Sequence, residues 1–93
     1  MTFPNDQVTE GALSRITSNA QCAVDRLNEA LTAAKRVRDY AKAAQTRPLR
    51  DSDLNGIKAE SLSMASALFF AREHGDIVTN AVIKIDKHRE GRS

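Results

Sequence analysis

The sequence predicts an all-α protein, an antiparallel helical hairpin of two long helices. Three observations carry that prediction. Stepping alternately by three and four from Leu13 meets Ile16, Ala20, Ala23, Leu27, Ala30, Ala34, Val37, Ala41 and Ala44, all apolar. The same walk from Leu54 meets Ile57, Ser61, Met64, Leu68, Ala71, Gly75, Val78, Val82 and Ile85, apolar except for the small Ser61 and Gly75. Between the two repeats lies the polar, proline-bearing stretch Gln45–Asp53. A 3-4 repeat marks a helix whose seam faces another helix, and no segment shows the period of two expected of a strand.

In chain order, residues 1–8 read as a lead-in containing Pro4 and Asn5-Asp6, and helix 1 is expected over 9–46. Val24 and Leu31 widen its stripe on one side, as a bundle helix requires. Pro48 has no amide donor and disfavours helical geometry at Arg47, which puts the turn at 47–51. Asp51, Ser52 and Asp53 are the N-cap candidates for helix 2, expected over 52–89 and followed by the tail 90–93. Gly75 is a possible break in helix 2, but the repeat passes it without a slip, so a continuous helix is expected. So short a connection makes the helices antiparallel neighbours. A turn near Pro48–Leu49 places residues summing to about 97 opposite one another. That register sets Asp39 against Lys58, Asp25 against Arg72, Glu60 near Arg36, and Glu10 near Lys87.

Helix 2 carries more apolar surface than one seam can cover. Leu62 and Phe69 lie seven apart and off the seam, Phe70 and Ile77 form a second such pair, and Ile83 adds to them. Either the lead-in folds back and Phe3 covers them, or they are buried against a second chain. The second is the expectation, because an exposed apolar patch on a small protein marks an interface. The simplest closure is a homodimer completing a four-helix bundle.

Composition narrows the function. Ninety-three residues form one small domain, without Trp and with a single Tyr, too little for a large enclosed active site. The lone Cys22 cannot make an internal disulfide, and no cleaved leader or membrane-spanning stretch is evident, so a cytoplasmic setting is expected. His74 and His88 are fourteen apart, too far to share a metal ion, and are expected to face solvent. Cys22 has no nearby base to activate it. Gly11, Gly56, Gly75 and Gly91 fit no phosphate-binding loop. An enzyme is not expected, nor any metal or cofactor.

The net charge of +2 is small but unevenly placed. Residues 35–50 hold six basic and one acidic side chain, and residues 84–93 hold four basic and two acidic. In the first block Lys35, Arg36, Arg38, Lys42, Arg47 and Arg50 could neutralise phosphates while Tyr40 stacks on a base. A hairpin puts the two basic blocks at opposite poles, which breaks any continuous groove. The expected function is therefore a self-associating, non-catalytic regulator or inhibitor that binds an unidentified protein target through Leu62, Phe69, Phe70, Ile77 and Ile83. Nucleic-acid binding through 35–50 is the alternative. A structural subunit or chaperone of a secretion-type assembly is a further one, suggested by architecture alone.

Overall fold

The computed structural model describes residues 6–91, which form two helices, α1 (Gln7–Gln45) and α2 (Asp51–Glu90), packed side by side as an antiparallel hairpin. The alternative cover of the surplus face by Phe3 lies outside the described residues.

Each helix end has a local cause. Asp6, in extended geometry, accepts the Thr9 N–H at 2.8 Å through Oδ1, so α1 starts at Gln7, two residues before the expected position. At the other end Thr46 turns back, its N–H and its hydroxyl both donating to the Ala43 carbonyl, and Pro48 follows. The N-cap of α2 is Arg50, not Asp51, Ser52 or Asp53. Asp53 instead lies one turn inside the helix and reaches back to accept the Arg50 N–H at 3.1 Å. At that position it also grips Arg47 across the turn. α2 runs unbroken through Gly75, and a Cβ built there meets nothing within 4 Å.

The seam differs from the expected one by a rotation of both helices. Ile16, Ala23, Ala30, Val37, Ile57, Met64, Ala71, Val78 and Ile85 are buried or half-buried as expected. Their partners in the repeat are Ala12, Asn19, Arg26 and Ala33 on α1, and Asp53, Glu60, Ala67, His74 and Ala81 on α2, each one residue before the expected position. Leu13, Leu27, Leu54, Leu68 and Val82 are consequently exposed. The buried residues are Ala12, Ala30, Ala33, Ala67, Ala71 and Ala81, together with Asp53. Small residues let two helix backbones approach closely, and polar cross-links then hold the rotated pairing. His74 Nδ1 donates to Asn19 Oδ1 at 2.8 Å, Arg36 pairs with Glu60 at 3.2 Å, and His88 Nε2 lies 2.6 Å from Asp6 Oδ2. Of the expected charge pairs, Arg36–Glu60 forms an ion pair. Asp39 instead binds Arg38, and Asp25 accepts from Gln21.

An alanine core leaves the hairpin short of buried area. It exposes 7147 Å², whereas a compact monomer of its mass exposes about 5,300 Å². Its radius of gyration is 20.4 Å against roughly 12 Å for a compact domain of this length. No large side chain is fully buried among the described residues.

Candidate functional site

The apolar residues that the core does not use form three lines along α2. Leu62, Phe69 and Ile83 lie at multiples of seven residues on its outer side, and Phe70 and Ile77 form a line to one side of the seam. Leu54, Leu68 and Val82 form the third line, on the other side of the seam. Leu62 is 64% exposed and Phe69 58%, while Phe70, Ile77 and Ile83 range from 39% to 45%. The two phenyl rings meet edge to face at 5.6 Å, and the Arg26 guanidinium sits 5.2 Å from the Phe70 centroid. Arg26 therefore shields one side of Phe70, and Phe69 is the more open ring.

All five residues expected at an interface are thus on the surface of the hairpin. Sequence reasoning misses a second set, because the repeat places Leu13, Leu27, Leu54, Leu68 and Val82 in the seam. The signal was present in part: an alanine precedes Leu13, Leu68 and Val82, so a seam one position earlier was equally periodic and smaller.

The basic block is largely engaged within the chain. Arg36 binds Glu60, Arg38 binds Asp39, and Arg47 makes a two-pronged contact with Asp53, Nη2 to Oδ1 at 2.8 Å and Nη1 to Oδ2. This clasp, together with the Arg50 N–H, holds the Asp53 carboxyl well below its ordinary 3.8, at about 2. The Arg47 guanidinium is correspondingly raised. Tyr40 lies across Gly56 of α2, with its ring about 3 Å from where a Cβ would stand. Lys35, Lys42 and Arg50 are exposed.

Both histidines, expected to face solvent, are half-buried and hydrogen-bonded between the helices. His74 meets Asn19, whose amide nitrogen is already committed to the Arg15 carbonyl, so its oxygen is the acceptor. His88 meets Asp6, whose carboxyl is pushed far below the ordinary carboxylate range, chiefly by the Thr9 N–H and then by His88. Both pairs tie the helices together away from the loop. Cys22 is exposed. Among the described residues no three His, Cys, Asp or Glu side chains cluster as a metal site would require, and no helix is long and apolar enough to cross a membrane. Shallow, open grooves flank the seam, one lined by Asp25, Glu29, Arg36, Glu60 and Ser63.

No family model matches the chain, and neither a curated protein nor a solved structure matches it.

Proposed function

We propose that this chain is a non-catalytic protein-binding module, a cytoplasmic regulator or inhibitor that self-associates and offers the outer side of α2 to a protein target. The observation behind this reading is the inversion of apolar content: the buried residues are alanines and Asp53, while Leu62, Phe69, Phe70, Ile77 and Ile83 are on the surface. Side chains of that size each contribute roughly 1.5–3 kcal/mol when removed from water. Aromatic residues are also enriched among interface hot spots. Self-association into a four-helix bundle would supply the burial that the hairpin lacks.

The test compares the wild type with Phe69→Ala/Phe70→Ala as affinity baits. The far-ultraviolet circular dichroism and the oligomer mass of each are measured alongside. A partner retained by the wild type and lost by the variant, with helix content unchanged, supports the reading. Equal capture by both, or unfolding of the variant, overturns it.

Nucleic-acid binding at Lys35, Arg36, Arg38, Tyr40, Lys42, Arg47 and Arg50 is less well supported, because three of those arginines have a carboxylate of the same chain beside them, which weakens the local positive charge. A subunit or chaperone of a secretion-type assembly rests on architecture only.

A further inference from the structure

The larger exposed apolar residues divide into two surfaces, and one of them receives paired leucine and valine side chains from both helices. The cross-helix pairs Asn19–His74, Asp6–His88 and Arg36–Glu60 place residues whose numbers sum to between 93 and 96 side by side. The same register sets Leu13 beside Val82, Ala20 beside Gly75, Leu27 beside Leu68, and Ala34 beside Ser61. These pairs flank the seam on the side away from the groove of Arg26, Glu29, Ser63 and Phe70. The result is a face in which large and small layers alternate. Val24 and Leu31 edge it on α1, 49% and 53% exposed. Lys58, Ala65, Arg72 and Asp86 edge it on α2.

We infer that a second copy of this chain seats on this face with the hairpins antiparallel, each loop over the helix ends of its partner, about a dyad level with Val24 and Arg72. The inference rests on the self-association proposed above and specifies its surface and direction.

Three observations select this arrangement. The first is shape. A dyad at Val24 brings Leu13 against Ala34 of the second copy and Leu27 against Ala20. At the same level on α2, Leu68 meets Gly75 and Val82 meets Ser61. Every large residue of these layers falls on a small one. Pairing the hairpins in parallel would stack Leu13 on Val82 and Leu27 on Leu68, and would leave the small layers facing each other across a void.

The second is charge. Residues 35–58, at the loop pole, hold seven basic and three acidic side chains, whereas 6–18 with 76–91, at the other pole, hold four basic and five acidic. Antiparallel pairing sets the positive pole over one whose charges nearly balance, and parallel pairing sets positive on positive. The rim agrees. Glu10 meets Arg38, and Lys58 meets Asp86, where a parallel pair would match Glu10 with Asp86 and Arg38 with Lys58. Arg72 meets its own symmetry mate at the dyad and is the one like-charged rim contact of the antiparallel arrangement.

The third is area. The hairpin exposes roughly 1,800 Å² more than a compact monomer of its mass, and a standard interface removes about 800 Å² from each partner. A face running the length of a 67 × 20 × 15 Å hairpin is large enough to supply that. The dimer leaves Leu62, Phe69 and Ile83 uncovered on the outer side of α2, available to a target.

The experiment uses the full chain with Cys22→Ser and Lys42→Cys, labelled with a nitroxide on the outward side of α1 near the loop. Sedimentation gives the mass, and pulsed dipolar spectroscopy gives the label separation. Position 42 lies eighteen residues from the dyad, so the antiparallel dimer places the labels about 55 Å apart. A dimer with labels under about 30 Å apart is parallel and overturns the inference while leaving self-association standing. A monomer at every concentration overturns both. A charge swap gives a second readout. Glu10→Arg should weaken the dimer about tenfold by setting like charges together twice, and adding Arg38→Glu should restore it. The two positions are about 42 Å apart along one helix, so restoration can arise only between chains. Failure of the second change to restore affinity also overturns the inference.

Discussion

Gly56 and Tyr40 offer the sharpest test of how the loop end is packed. A Cβ built on Gly56 lies 2.8 Å from Tyr40 Cζ and 3.0 Å from both Cε atoms, well inside the ~3.5–4.0 Å of ordinary carbon contacts. Gly56→Ala should gain about 1 kcal/mol from helix propensity, since position 56 lies within α2. Against this, the ring must leave its site, and overpacking of this kind costs about 1–3 kcal/mol. The variant is expected to range from neutral to about 2 kcal/mol less stable. With Tyr40→Ala in place the obstruction is gone, and the same substitution should stabilise by about 1 kcal/mol. The coupling between the two positions is then about 1–3 kcal/mol, large for residues sixteen apart in sequence. The assay is urea unfolding followed by circular dichroism at 222 nm for the four members of the cycle. All are measured at one protein concentration, because association makes stability concentration-dependent. Equal stabilisation by Gly56→Ala with and without Tyr40 would refute the proposed packing of Tyr40 on α2.

Other expectations follow from the same geometry. Gly75→Ala should leave α2 intact and, in the dissociated hairpin, raise helix stability by up to about 1 kcal/mol, because a Cβ there meets nothing within 4 Å in the same chain; a loss of helical signal at 222 nm would refute this. Ala30→Leu or Ala67→Leu should destabilise by about 1–3 kcal/mol in urea titration, since both residues are buried in the seam between the helices. Asp53 has a lowered pKa in the folded chain, so its contribution is present above pH 3.8 and is lost as the pH falls through about 2. Asp53→Asn should therefore flatten stability against pH across that window, as read by acid titration of the helical signal. Arg72→Leu should tighten the dimer, measured by sedimentation, by removing the one like-charged contact at the proposed dyad.

The two helices, their antiparallel direction and the site of the turn follow from the sequence itself. Heptad spacing, Pro48 and a short polar link leave no other arrangement of two such segments, and local backbone chemistry needs no distant partner. Phe69, Phe70 and Leu62 were also legible as surplus, because one seam cannot hold apolar residues placed around most of a helix. The rotation of the seam was decided by tertiary structure. Leu13 and Ala12, or Leu68 and Ala67, satisfy the same periodicity, and the choice depends on which pair lets two backbones close on each other. The cross-links Arg47–Asp53, Asn19–His74 and Asp6–His88 join residues up to 82 positions apart, and they turned two histidines expected in solvent into ties between the helices. Periodicity reports that a helix has a buried side to within about one residue step, or 100° of rotation. Close packing and paired polar groups set the remaining angle. That angle determines which leucines are left on the surface for a second chain.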